Sequence, residues 1–326
     1  MGTPPFAACI LDVLLKQDAF DVSMVYTMPD RPAGRGARPR MPAVKTLALE
    51  RGLLLRQPEN FREPSETDFL VSLEPDFLIV AAYGLILPES VLAVPRIAPV
   101  NVHASLLPAF RGAAPIQRAI MGATSPGAFT GVSIMRMTRG MDSGPVYASE
   151  PVLIGRHDSG SLTRELAGVG AKLLVESLPL IAGGALSAVP QDEGSASYAP
   201  KINKSEATLD FKRSCAEMDA MVRALTPAPG ARCVFEACHA GADKIFQVTI
   251  ISGQPADAPC MAPPGTLYRA GSKLFVACSD GFYKIERLKP AGRKEMSAGD
   301  FLHGYRFSDG PFGSVVYQKD PVLNQE

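Results

Sequence analysis

The sequence predicts an α/β architecture, a doubly wound sheet domain followed by a small β-barrel, and three observations predict it. Apolar runs that suit buried strands alternate with segments of helical periodicity through the first part of the chain. The stretch 183–199 is poor in large apolar residues and holds Gly, Ser, Pro and charges, as a connection between domains does. Beyond it, short apolar strands follow one another with turn residues between them, which is the pattern of a barrel. At 326 residues the chain is long enough for two domains whose cores need no staples. The expected divisions are 1–185 for the α/β domain, 186–202 for a linker, 203–312 for the barrel and 313–326 for a tail.

Taken in order, Cys9, Ile10, Leu11, Val13, Leu14 and Leu15 have the spacing of an amphipathic helix. Residues 22–26 read as a strand. The segment 29–40 is rich in Pro, Gly and Arg, so it reads as a loop, and its four arginines against one aspartate suit phosphates. Residues 42–52 and 64–73 read as helices, with a short strand at 53–55 between them. The eleven residues 77–87 are nearly all apolar and 97–102 repeats the pattern, so both suit buried parallel strands. A helix starts at 115–121, strands follow at 131–137 and 146–153, and 161–181 is a long helix. In the second half, the helix 214–225 stops at Thr226-Pro227-Ala228-Pro229-Gly230. Strands are expected at 232–236, 246–251, 265–269, 273–278 and 281–288.

Composition narrows the possible chemistry. Formal charge is zero, so a nucleic-acid partner has to be met by a local basic patch. No Gly-x-Gly-x-x-Gly follows a strand and no Walker Gly-Lys-Ser/Thr occurs, so the sheet serves a ligand other than a dinucleotide or a nucleoside triphosphate. Six cysteines are scattered. Cys233, Cys238 and His239 lack the second pair of a zinc clip and sit in a strand-like alternation, so buried, reduced thiols and no metal are expected, in a soluble cytoplasmic protein. The longest apolar run falls well short of a membrane span.

Asn101, His103 and Asp142 are the candidate catalytic residues. In an extended segment Asn101 and His103 point to one face, because side chains alternate. The end of a strand in an open α/β sheet is where ligands bind. Each residue alone has an ordinary explanation: a turn former, a satisfied histidine, an Asp-Ser-Gly helix cap. Together, Asn101-x-His103, then Ser105-Leu106-Leu107-Pro108, then Asp142 in Asp142-Ser143-Gly144 resemble the formyltransferase family that uses 10-formyltetrahydrofolate. The run Phe110-Arg111-Gly112-Ala113-Ala114-Pro115-Ile116-Gln117 resembles the branch of that family that formylates methionyl-tRNA. Tyr198 to Ile202 and Pro290 to Ala298 resemble its C-terminal half, so the likeness covers nearly the whole chain. Arg136 and Arg139 depart from the neutral or acidic residues more usual there.

The resemblance implies a Rossmann-like formyltransferase domain and an OB-like barrel. It implies 10-formyltetrahydrofolate as donor, initiator methionyl-tRNA as acceptor, and a monomer. Asn101 and His103 would stabilise an oxyanion, while Asp142 would orient the imidazole and relay a proton. Tyr83, Leu85, Ile86, Ser105, Leu106, Leu107, Pro108 and Met137 would line the folate site. Arg31, Arg35, Arg38, Arg40, Arg293 and Lys294 would meet tRNA, with Arg35 discriminating initiator from elongator. Other readings are a sugar-nucleotide amine as acceptor, a serine hydrolase through Ser105, and a non-catalytic RNA-binding protein. In the family, a hydrophobic first strand precedes Gly2-Thr3-Pro4; here the chain begins at Met1. Its absence should leave two strand edges unpaired around an apolar slot. The expectation is that the natural product begins upstream, or that this form is poorly stable and weakly active.

Overall fold

Proline at the first turn of a helix leaves no amide unpaired and already has a helical φ. Helix α1 (Pro5–Leu14) starts in this way and buries Phe6, Ala7, Ile10 and Leu14. The computed structural model describes residues 1–33, 38–125, 127–239, 242–258, 260–305 and 310–316. After α1 come β1 (Val25–Tyr26), β2 (Arg31–Ala33), β3 (Arg38–Arg40), α2 (Ala43–Glu50), β4 (Leu55–Arg56), α3 (Pro64–Ser72) and β5 (Phe77–Val80). Then follow α4 (Glu89–Leu92), β6 (Ala98–His103), α5 (Pro115–Gly122), β7 (Phe129–Arg136), β8 (Val146–Leu153) and α6 (Ser159–Ala182).

The chain divides into two units. The first holds Met1–Ile116, Phe129–Leu153 and Leu162–Pro200; the second holds Gln117–Ala128, Ile154–Ser161 and the described residues from Lys201 onward. In the first, β5, β6, β7 and β8 form one sheet in that order. Only β5–β6 is parallel; β6–β7 and β7–β8 are antiparallel. The sheet is thus mixed where a parallel one was expected, because a buried apolar run suits either direction of partner. Neighbouring strands that share a short connection have to run antiparallel, and β7 and β8 are joined in that way. The apolar run at 77–87 ends as a strand at Val80, since Ala82 (φ 44) and Gly84 (φ 99) turn the backbone left-handed.

β1 and β4 form a separate parallel pair. Met1 and Gly2 lie between β1 and the residue that follows β5: Gly2 N donates to Tyr26 O and Ala81 N to Met1 O, both at 2.9 Å. Beyond these two residues is a slot of ≈ 600 Å³ lined by Leu14, Phe20, Val25, Phe77, Ile79 and Leu178, among others. Its lining is mainly apolar.

Two further expectations are corrected by backbone pairing. The arginine segment is a hairpin of β2 on β3, with Arg31 opposite Arg40, and 34–37 lie outside the described residues. The stretch read as a linker pairs with the first unit instead. Val146 and Val189 exchange both backbone bonds at 2.8 Å, and Ser197 to Ala199 run parallel to Arg111. Low apolar content hid this, because the pairing is made by main chain.

The second unit begins its helix α7 (Cys215–Leu225) with a capping box between Ser214 and Glu217. Then come β9 (Ala231–His239), β10 (Ala242–Ala256), β11 (Thr266–Ala270), β12 (Lys273–Ala277), β13 (Phe282–Pro290), β14 (Met296–Ser297), α8 (Ala298–Tyr305) and β15 (Gly310–Val315). The order β10-β9-β15-β11-β12-β13 closes through a β10–β13 pairing, so six strands form a barrel without an open edge. Phe235, Val248, Ile250, Leu267 and Tyr283 fill it, and α8 adds Phe301 and Leu302. Residues 313–315, expected in a tail, belong to β15. Buried Asp219 is paired with both Arg156 and Arg223, as a carboxylate taken out of water must be. The side chains of Cys238 and His239 lie outside the described residues. Among the described residues no group of His, Cys, Asp or Glu could hold a metal ion, and no helix is long and apolar enough to cross a membrane.

Candidate active site

β6 is buried along its whole length. It lies between β5, where Val80 faces Asn101, and β7, where Met135 faces Asn101 and Ser133 faces His103. Alternation puts Asn101 and His103 on one face and Val100 and Val102 on the other. That second face is closed by α6 at Gly170, where an added Cβ would meet Val102 Cγ1 at 2.9 Å and Val132 Cγ1 at 3.0 Å. Glycine there lets the helix approach the sheet, so the strand that carries the site is clamped from behind.

Asp142 comes from the loop between β7 and β8, and the fold brings it to the same place. Its Oδ1 is 3.4 Å from Asn101 Nδ2 and 3.6 Å from His103 Nδ1, and its Oδ2 accepts from Gly112 N at 2.9 Å. His103 Nε2 is 3.0 Å from the Phe110 carbonyl. Both ring nitrogens therefore face oxygen atoms, with Nδ1 at a distance longer than a hydrogen bond. Asn101 and His103 are 8% and 6% exposed, so these polar groups meet in a largely desolvated cleft wall.

The loop 104–112 is fixed around this cluster. Ser133 Oγ donates to Ser105 O at 2.8 Å and accepts from Leu107 N at 3.0 Å. Ser105 is fully buried and its hydroxyl donates to Ala109 O at 2.6 Å. A serine committed in this way is not a free nucleophile, which argues against hydrolase chemistry through Ser105. Leu106 packs over Gly131, where an added Cβ would lie 2.5 Å from its Cδ2. Leu106, Leu107 and Pro108 are half-buried beside the cluster.

The other residues expected at the folate site divide by exposure. Tyr83 is 3% exposed in a core cluster with Tyr26 and Phe61, and burial pushes its phenol well above the usual range, so its side chain is core packing and not an exposed wall. Leu85 and Met137 are half-buried against that cluster, whereas Ile86 is 93% exposed. Of the expected tRNA contacts, Arg31 and Arg40 are exposed on the hairpin and Arg293 and Lys294 on the turn after β13. Arg35 lies outside the described residues, as does the side chain of Arg38.

Sequence reasoning missed what holds the cluster. Arg111 is 1% exposed and its guanidinium is bound twice by Glu193, with Nη1 to Oε2 at 2.9 Å and Nη2 to Oε1 at 2.8 Å. Hydrogen bonding from Arg111 holds the Glu193 carboxyl below its ordinary range. Gln191 joins Arg111 to the Asp142 loop. The signal available was a lone arginine inside a largely apolar run; nothing marked Gln191, 80 positions away.

The mixed sheet, and all of the closed barrel that follows it in the chain except β15, lie in the regions that two family models match. A sequence model of the formyl transferase family matches residues 1–178 and one of the formyl transferase C-terminal domain matches 201–306. The chain belongs to this family. The methionyl-tRNA formyltransferase of Desulfovibrio desulfuricans is 45% identical over 93% of this chain and 91% of its own. That of Methylococcus capsulatus is 42% identical over 96% and 98%. Among solved structures, an N-formyltransferase from Helicobacter canadensis covers 90% of this chain and 97% of its own, with a TM-score of 0.61 at 16% identity. HypX from Aquifex aeolicus, solved with tetrahydrofolic acid, covers 83% of this chain and 47% of its own, with a TM-score of 0.54 at 18% identity. These two show the fold alone.

Proposed function

We propose that this protein transfers the formyl group of 10-formyltetrahydrofolate to the amino group of methionine on initiator methionyl-tRNA. The observation that carries the chemistry is the convergence of Asn101, His103 and Asp142 at the end of β6, with Asp142 Oδ1 facing both partners. Likeness along most of the chain to proteins named methionyl-tRNA formyltransferase supports the acceptor.

The neutral amine attacks the formyl carbon, a C–N bond forms, and the carbonyl oxygen becomes an oxyanion. His103 Nε2 is committed to the Phe110 carbonyl. That leaves Nδ1 and the second amide hydrogen of Asn101 to turn toward the oxyanion. Asp142 takes the proton that the attacking nitrogen sheds, directly or through water, and that proton is passed to the departing folate nitrogen as the oxyanion collapses to the carbonyl and the old C–N bond breaks. Loop 104–108, with Leu85, Ile86 and Met137, forms the folate wall, and Arg31, Arg35, Arg38, Arg40, Arg293 and Lys294 meet tRNA phosphates.

Purified protein is to be supplied with 10-formyltetrahydrofolate and, in parallel, initiator methionyl-tRNA and an amino-sugar nucleotide. Formylmethionyl-tRNA is the expected product. Formylation of the sugar alone would replace the acceptor, and no formyl transfer to either would overturn the reading.

A further inference from the structure

The groups that touch Asp142 orient its carboxylate, but another set fixes its backbone. Asp142 is held at φ 48 and Phe110, whose carbonyl meets His103, at φ 60. A left-handed conformation costs a residue with a side chain about 1–3 kcal/mol and persists only where its surroundings impose it. At Asp142 one amide meets the main chain. Gln191 Nε2 donates to Asp142 O at 2.8 Å and to Gly144 O at 2.6 Å. Gln191 Oε1 accepts from Arg111 Nε at 3.1 Å and Nη2 at 2.9 Å.

This arrangement admits one orientation of the amide. Arg111 can only donate, so the Gln191 oxygen must face it and the NH₂ must face the two carbonyls. The guanidinium is itself immobile, buried and bound on its other edge by Glu193. Its backbone is pinned as well, with Arg111 N donating to Ser197 O at 2.9 Å and Ala199 N to Arg111 O at 2.7 Å. One residue therefore ties the Asp142 loop to the loop that carries Phe110 and Gly112, the two residues whose main chain contacts His103 and Asp142.

We propose that Gln191 is a positioning residue for the transfer reaction, holding the Asp142 backbone left-handed so that its carboxylate meets Asn101, His103 and Gly112, with Arg111 fixing the orientation of the Gln191 amide. The proposal rests on the catalytic reading of Asp142 given above. Gln191 itself touches no reacting atom, so its effect passes through Asp142.

The test is a double-mutant cycle on the full chain, assayed with methionyl-tRNA and 10-formyltetrahydrofolate. Gln191→Met keeps the length and removes every polar contact. Gln191→Glu keeps an acceptor for Arg111 but sets a carboxylate against two carbonyls. Misplacing a catalytic group by a fraction of an ångström to an ångström costs up to about a hundredfold. Each variant should therefore lower kcat by about ten- to a hundredfold with KM for both substrates within about twofold of the parent. In the Asp142→Asn background, Gln191→Met should cost nothing further, because the placement of Asp142 no longer matters.

A parent-like kcat in both Gln191 variants overturns the proposal and leaves the catalytic reading standing, provided that Asp142→Asn is slow. A full additional loss in the double variant also overturns it, since a merely structural role would add. Parent-like turnover in Asp142→Asn removes the reading of Asp142 and the proposal with it. Where Gln191→Met does not fold, Gln191→Glu carries the test; if neither folds, Gln191 serves stability and the proposal falls.

Discussion

At the scale of the residue, the proposed reaction depends on donors that strengthen their hydrogen bonds as charge develops. Asn101→Ala and His103→Ala should each lower kcat by about a hundredfold or more while tetrahydrofolate binding survives, since a lost oxyanion donor acts on the transition state. Steady-state kinetics beside equilibrium dialysis check this, and parent-like kcat in His103→Ala would remove the assignment. These residues were legible because the period of a strand fixes where Asn-x-His points, and because Asp142 stands in a motif with a recognisable spacing. Arg111 was visible as a letter and its role was not. A buried guanidinium is explained only by its partners, and here those are Gln191 and Glu193, about 80 positions along the chain. No local pattern encodes a contact of that separation.

At the scale of the element, sequence periodicity located most helices and strands, but not β2, β3, α4, β14, α8 or β15, and said little about pairing. The long helix expected at 161–181 runs from Ser159 to Ala182, and the strand expected at 146–153 is β8. The direction of β7 and the pairing of 197–199 with Arg111 stayed hidden, because main-chain hydrogen bonds carry no side-chain signature. The slot between β1 and β5 gives the second prediction. Five apolar, β-branched residues fused before Met1 should pair with both flanking strands and fill it, each buried side chain contributing about 1.5–3 kcal/mol before ordering costs. The midpoint of thermal unfolding should rise, and activity with it. An unchanged midpoint would mean that the slot does not accept a strand. The hairpin of β2 and β3 gives the third. Arg31→Ala and Arg40→Ala should weaken all tRNAs alike, and every phosphate left without its arginine should flatten the logarithmic salt dependence by about 0.7–0.9. Retention of the full salt slope in the double variant would place the tRNA elsewhere.

At the scale of the whole molecule, formal neutrality hides local ion pairs whose contribution to stability depends on pH. Arg56, Arg111 and Arg118 each hold one carboxyl below its ordinary value of 4.5 by hydrogen bonding: Glu66, Glu193 and Glu206 respectively. A carboxyl depressed in the folded state stabilises fully above its unfolded value, and that contribution is lost as pH falls through the folded value. Urea midpoints should therefore be flat above about pH 5.5 and decline below about pH 4.5, with a shallower decline in Glu66→Gln. An identical decline in that variant would show that the Arg56 pair contributes nothing. The pairing of 197–199 with Arg111 has a consequence for the order of synthesis. The strand that bears Asn101 and His103 and the loop that bears Asp142 are made before Gln191 and Ala199 exist, and at about 5–20 residues per second the gap amounts to some seconds. Through that interval the nascent sheet can pair, yet the Gln191 amide is not there to meet the Asp142 main chain. A chain released after residue 185 should keep the sheet and lack turnover, since it holds neither Gln191 nor the barrel residues proposed to meet tRNA.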